Sequence, residues 1–249
     1  MPRTHASLPR LFVEPALGAG EAVHLGRDQS LYLASVLRKD VGDEVVLFNG
    51  RDGAWLGRLS SAAKKNVAIE LVEQIASQPA RADLWYGFAP LKAARLDYVI
   101  QKATEMGASR IQPVITRYTQ VARVQLDRMK ANAIEAAEQC EVLNVPEICA
   151  ETTLERLLAG WGETHGDRLL VFADEAAPSA SPVGQLAALA GRPVGLLVGP
   201  EGGFAPEERE SLRRQPFTVP ISLGPRILRA DTAAVAALAV IQAIIGDWR

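Results

Sequence analysis

LLVGPEGG, residues Leu196–Gly203, and SLGPRILRADTAA, residues Ser222–Ala234, decide the fold of this chain. Each is an apolar run broken by glycine and proline, the pattern of a buried strand that ends in a sharp loop. Open α/β sheets bind their ligands beyond the carboxyl ends of their strands, where such loops gather. Two loops of this kind, close in sequence, are expected to face each other across one pocket. The expectation is an α/β enzyme built round it.

The bulk of the chain agrees with that class. Its 249 residues suit one large or two small domains, and a 48% hydrophobic share supplies a full core. Two cysteines, Cys140 and Cys149, are too few for a disulfide framework and fit a reducing cytoplasm. The N-terminus, MPRTHASLPRLF, has no apolar signal core. The longest nearly apolar run, Ala233–Ile245, is too short for a bilayer and contains Gln242, so no membrane association is expected. The net charge of −2 hides an asymmetry: residues 81–130 carry nine Lys/Arg against four Asp/Glu, and residues 131–249 nine against sixteen. A local basic surplus suits a polyanionic partner, although a solvated helix face gives the same count.

Residues 1–76 alternate with short periods. Glu21–Leu25, Glu44–Asn49, Ala54–Ser60 and Asn66–Glu73 read as strands, with Gly50, Asp52, Gly53, Lys64, Lys65 and Asn66 in the turns. A short helix over Asp28–Leu37, capped by Asp28, separates the first two. Several short punctuated strands suggest a small β-barrel. Ser77–Ala82 reads as a linker, after which the period changes. Leu84–Ala89 is strand-like. Leu96, Val99, Ile100, Ala103 and Met106 then share a helix face that stops at Gly107. Ser109–Val114, Arg168–Ala173, Val194–Val198 and Phe217–Ile221 read as further strands. Helices are expected over Leu126–Cys140, from Ser181 and Pro182 towards Gly191, from Pro206, and from Thr232 to Ile245. Cys140 falls on the apolar face of its helix and reads as core. The last helix is apolar nearly all round and should be buried.

The candidate chemistry lies in the two loops. Gly199, Gly202 and Gly203 allow close approach of backbone to a ligand, although a tight turn without a ligand needs them equally. Neither a phosphate-binding Gly-Lys-Ser/Thr loop nor a dinucleotide Gly-x-Gly-x-x-Gly fingerprint is present. Glu201 can cap backbone N–H groups or face a cation or ribose. Arg226, Arg229 and Asp231 can face a planar anion or base, or pair internally to hold the loop. Asp231 and Thr232 are also expected to cap the last helix. His5, His24 and His165 are scattered without metal-ligand spacing, and no nucleophile elbow is present, so neither a metal nor a covalent mechanism is suggested.

GPEGGF (Gly199–Phe204), SLGPRILRADTAA, LDYVIQKATEMGASRIQP (Leu96–Pro113) and NAIEAAEQC (Asn132–Cys140) together resemble the family of 16S ribosomal RNA uridine N3-methyltransferases. That family belongs to the SPOUT superfamily. RLFVEP (Arg10–Pro15) and VLRKDVGDEVVLFNGRDG (Val36–Gly53) resemble its N-terminal PUA-like barrel. The resemblance implies a PUA-like RNA-binding domain over 1–76 and a SPOUT α/β methyltransferase domain with a deep trefoil knot over 80–249. It further implies S-adenosylmethionine as cofactor, 16S rRNA or the small ribosomal subunit as partner, and a cytoplasmic homodimer. By motif match, Gly199, Glu201, Gly202, Leu223, Gly224, Ile227 and Leu228 would line the cofactor, with Phe172 and the loop after it as a third wall. Arg10 and Arg38 would face RNA. Arg229 would serve the base or its anion, and Asp231 would act as orienter or base. Two segments depart from the family pattern. Thr116–Thr119 stands where many members have Glu-Arg-Ser, and Val142 where many have arginine.

The implied reaction places a methyl group on N3 of one uridine. That nitrogen lies on the Watson–Crick edge, so the base must be unpaired or flipped. Two other readings stay open here: methylation of another RNA or of a ribose 2′-hydroxyl, and a non-enzymatic RNA-binding assembly factor.

Overall fold

The computed structural model describes residues 5, 7–63, 66–121, 123–177 and 181–248. Lys64 and Lys65 of the expected turn lie outside these. The chain divides into two compact units, residues 1–80 with 137–145, and residues 81–136 with 146–249.

The first unit holds β1 (Arg10–Phe12), β2 (Ala22–His24), α1 (Arg27–Leu31), β3 (Glu44–Phe48), β4 (Ala54–Ala63) and β5 (Asn66–Ala76). They form one sheet in the order β1-β3-β4-β5-β2, antiparallel except for the β1–β3 pair. Alternation does the work. Val45, Leu47, Leu59, Val67, Ile69 and Leu71 point to one face and share a core with Leu11 of β1 and Val23 of β2. Both edge strands therefore feed one core, and register shifts between β4 and β5 bend the sheet to allow it. The expected helix is shorter than its pattern. α1 starts after Gly26, not at Asp28, because Gly26 is the last residue with extended backbone, and Tyr32–Val36 continue as a π-helical turn. Ala137 and Leu143 pack with Val46, Phe48 and Ala54 of this unit. There the carboxylate of Glu138 accepts from the Phe12 N–H at 2.8 Å.

The second unit runs β6 (Leu84–Phe88), α2 (Ala93–Glu105), β7 (Arg110–Ile115), α3 (Leu126–Cys140), β8 (Glu147–Ile148), β9 (Thr152–Thr153), α4 (Leu154–Ala159), α5 (Trp161–His165), β10 (Leu169–Ala173), α6 (Pro182–Ala187), β11 (Val194–Val198), α7 (Pro206–Arg213), β12 (Thr218–Ile221) and α8 (Ala230–Ile244). The last four residues of α3 count with the first unit. All strand pairs are parallel, in the order β12-β10-β11-β6-β7-β8, with β9 also on β7. Both faces of such a sheet are covered, so β6 and β11 are buried at every residue.

Helix ends follow the local chemistry. Ser181 Oγ accepts from the Val183 N–H ahead of Pro182. The carboxylate of Glu208 reaches back to the N–H of Ala205, which has no capping side chain of its own. Gly107, at φ +79°, turns the chain out of α2. Three expectations need correction. Cys140 is exposed; the buried face of α3 is Met129, Ala133, Ala136 and Ala137, and the chain leaves the helix through Glu141 at φ +59°. α8 begins two residues before Thr232, with Arg229 as its N-cap and Asp231 inside the first turn. α8 is also not buried all round: Thr232 and Ala243 are exposed, and Val235, Ala236 and Ala239 half-buried. Its one buried amide, Gln242, donates to the Met106 carbonyl at the end of α2 at 2.6 Å.

Candidate active site

Three loops at the carboxyl ends of β10, β11 and β12 enclose a cavity of about 360 Å³. Its walls are Ala173–Glu175 after β10, Gly199–Glu201 with Gly203 and Phe204 after β11, and Ser222–Leu228 after β12; Ala230 and Ala233 of α8 complete it. The volume falls in the range of small-molecule sites. Apolar surface comes from Val198, Leu223, Ile227 and Leu228, and acidic groups from Glu175 and Glu201. Gly224 stands at φ +102° with open space where a Cβ would project, so the chain can press its backbone on an occupant. Gly203 is at φ +70°, and a Cβ there would meet the Glu175 carboxylate at 2.8 Å.

Six of the expected lining residues come together in this cavity: Gly199, Glu201, Leu223, Gly224, Ile227 and Leu228. Phe172 does not reach it. The ring is wholly buried against Phe204, and Ala173 and Asp174 supply the wall instead, because side chains alternate along β10. Gly202 faces the other way, towards Tyr118, and lines a shallow depression with Arg117–Gln120.

Two charged clusters hold the walls. Asp174, fully covered at the end of β10, pairs with Arg209 at 3.1 Å and Arg213 at 2.7 Å, both from α7. Arg209 also reaches Glu175 at 3.4 Å. The second cluster centres on Arg95 of α2, which pairs with Glu201 at 3.0 Å and approaches Asp231 at 3.9 Å. Asp231 also accepts from the Thr232 N–H at 2.9 Å. The charge of Asp231, after burial, helps to push the Tyr86 hydroxyl upward from its ordinary pKa.

The internal pairing considered for Arg226, Arg229 and Asp231 is not what forms. Among the described residues Asp231 pairs with Arg95, while Arg226 and Arg229 are exposed and make no ion pair. The Arg229 carbonyl accepts from the Ala233 N–H, and the side chain is left to solvent beside Leu228. Arg95, Arg209 and Arg213 escaped sequence reading. Only the i, i+4 spacing of Arg209 and Arg213 gave a signal. In the first unit Arg38 is exposed at φ +53°. The Arg10 side chain is only 11% exposed and lies 3.8 Å from Glu141.

Residues 78–242 match the RNA methyltransferase domain family, and residues 25–72 the RNA methyltransferase PUA domain family. The ribosomal RNA small subunit methyltransferase E of Rickettsia conorii is 33% identical over 94% of each chain. Its namesake from Synechocystis is 32% identical over 95% of this chain and 78% of that one. The crystal structure of the Neisseria gonorrhoeae enzyme of that name, bound to S-adenosyl methionine, superposes with a TM-score of 0.86. It is 26% identical and covers 97% of this chain and 100% of that one. A Legionella pneumophila putative methyltransferase in complex with the same cofactor gives 0.78 at 27% identity, over 95% and 97% of the two chains. With two domain families matched in order along nearly its whole length, the chain belongs to the ribosomal RNA small subunit methyltransferase E family of RNA methyltransferases.

Proposed function

We propose that this protein uses S-adenosylmethionine to methylate N3 of one uridine in 16S ribosomal RNA. The observation that carries the reading is the three-loop cavity, which is where the family's cofactor would sit. Its residues fit that group. Leu223, Ile227 and Leu228 offer an apolar bed, Gly224 admits close backbone contact, and Glu201 and Glu175, held by Arg95 and Arg209, add hydrogen-bond acceptors. When bound, S-adenosylmethionine supplies an electrophilic methyl group. We also read the β11 and β12 loops as the knot of a SPOUT fold, and the active molecule as a homodimer.

The chain's own task is to make N3 nucleophilic. Neutral uridine carries a proton there, and its anion spreads charge onto O2 and O4. We assign to Arg229, exposed between the cavity-lining residues Leu228 and Ala230, the task of meeting those oxygens and favouring the anion while the proton passes to solvent. Asp231, engaged by Arg95 and by the Thr232 N–H, serves as orienter of the α8 start. Arg38 and Arg10 of the first unit are assigned to RNA, although the Arg10 side chain is mostly covered and lies 3.8 Å from Glu141.

Mass spectrometry of nucleosides from small-subunit rRNA of a strain lacking this protein tests the reaction. Loss of one N3-methyluridine is expected; loss of a ribose methyl instead would sink the base assignment. Arg229→Ala is expected to lose roughly 10²–10³ in turnover, the scale of one preorganised donor, with unchanged cofactor affinity. Part of that loss should return at higher pH, where more uridine is already deprotonated. No rescue, together with weakened cofactor binding, would return Arg229 to a structural role.

A further inference from the structure

Tyr118 is the second feature of this end of the sheet, and the cofactor cavity does not use it. It projects from the loop after β7 and is 45% exposed. The loop that carries it is stiff. The Thr119 hydroxyl accepts from the Thr116 N–H at 2.9 Å and lies 3.0 Å from the Thr116 hydroxyl, and the Thr119 N–H returns to the Thr116 carbonyl at 3.1 Å. The Arg117 N–H is fixed to Glu208 of α7 at 2.8 Å. An aromatic ring on a pinned turn is pre-organised, so a partner stacking on it orders little else.

The surroundings name the partner. Tyr118, Arg117, Thr119 and Gln120 form a shallow depression whose far wall is Gly202. A Cβ on Gly202 would stand 3.4 Å from the Tyr118 Cβ, so the β11 loop lies against the root of that side chain. Gly202 belongs to the β11 loop whose neighbours, Glu201 and Gly203, line the cofactor cavity. The depression and the cavity are thus separated by the thickness of one loop. An exposed ring, a guanidinium and an amide together match a base, its phosphate and its polar edge.

Resting on the methyltransferase reading above, we propose that Tyr118 stacks an unpaired RNA base next to the target uridine, with Arg117 on the intervening phosphate. The methylated base itself belongs at the cavity mouth. The Tyr118 depression lies across the loop from it and takes the flanking nucleotide. Tyr118 is then a determinant of which unpaired uridine is accepted, since flanking contacts set context in enzymes that act on extruded bases.

The test is a cycle between enzyme and RNA. The RNA is the rRNA segment spanning the uridine found by mass spectrometry, intact or with an abasic nucleotide on either side of it. Tyr118→Ala is expected to lose roughly 10–100-fold in kcat/KM on intact RNA, and Tyr118→Phe no more than about 3-fold. One of the two abasic RNAs should cost the wild type the same factor, and Tyr118→Ala should lose nothing further on it. Cofactor affinity and the mass by light scattering should match the wild type. Wild-type rates for Tyr118→Ala, or losses that multiply with both abasic RNAs, would overturn the stack and leave the methyltransferase reading intact. A changed mass would make Tyr118 a contact between copies of the chain and overturn it equally. Absence of any methylated uridine would instead remove the reading on which it rests.

Discussion

Trp85 shows how closely single residues set this fold. Its indole lies over Gly87 two positions along β6, and a Cβ at Gly87 would overlap the ring. Gly195, its neighbour on β11, would bring a Cβ to 2.9 Å from the same indole. The slot also receives Trp161, edge-on at 5.2 Å. Gly87→Ala should therefore cost about 1–3 kcal/mol as overpacking, measured as a lower urea midpoint. A midpoint equal to the wild type would mean that the indole can move at no cost. His165 packs on the same cluster, 4.1 Å from the Trp161 ring, and neither ring nitrogen has a protein hydrogen-bond partner among the described residues. Burial, reinforced by the Arg168 charge, lowers its pKa from 6.5 to about 4. The unfolded chain takes up this proton near pH 6.5, the folded protein only near 4. Stability from this group is thus complete above 6.5 and falls as the pH drops towards 4. Because the residue as a whole is only half-buried, the loss is limited to about 1–2 kcal/mol. His165→Phe should flatten that limb of the urea-midpoint profile; an unchanged limb would assign it to other groups.

Among the elements, α2 has a role beyond covering the sheet. Arg95, in its first turn, joins Glu201 of the β11 loop to Asp231 at the start of α8. Each pair is partly exposed and worth about 0.2–1 kcal/mol, too little to matter for folding but enough to bias a loop. Arg95→Ala is expected to weaken S-adenosylmethionine binding about 3- to 10-fold with little change in melting temperature. Unchanged affinity by calorimetry would show that the loops hold without the clamp. The elements themselves were largely legible. α3 begins and ends where its apolar face predicts, and β11 matches its apolar run residue for residue. Periodicity did not reveal β1, β8, β9, α4 or α5, which at two to six residues are too short for a repeating pattern to show. The same limit applies to the site. The Gly/Pro loops announced the cavity, because special backbone needs special residues. Arg95, Arg209 and Asp174 did not, because ion pairs between residues far apart in the chain leave no local pattern. Phe172 and Gly202 lie next to cavity-lining residues but do not line the cavity themselves, a distinction that proximity in sequence does not resolve.

For the molecule as a whole, the open side of α8 is the feature that one chain leaves unfinished. Among the described residues no helix is long and apolar enough to cross a membrane. α8 buries Ala233, Ala234, Ala237, Leu238 and Ile241 against its own unit. On the other side Val235, Ala236 and Ala239 stay half-buried between exposed Thr232 and Ala243. That face is apolar and uncharged, the composition of an interface core rather than of a solvated helix. Small residues let a second helix approach closely. The homodimer proposed above would use this face. Light scattering at micromolar concentration should give about twice the 26.8 kDa chain mass. Ala239→Glu should give a single-chain mass, because a carboxylate at the centre of an apolar interface is left unpaired. Circular dichroism should keep its helical signal, since Ala239 lies outside the buried stripe. Cofactor affinity should change less than methyl transfer if the partner contributes to RNA binding more than to the cavity. A wild-type protein with the mass of one chain would remove the dimer. An Ala239→Glu variant that stays dimeric would keep the dimer and move its interface away from α8.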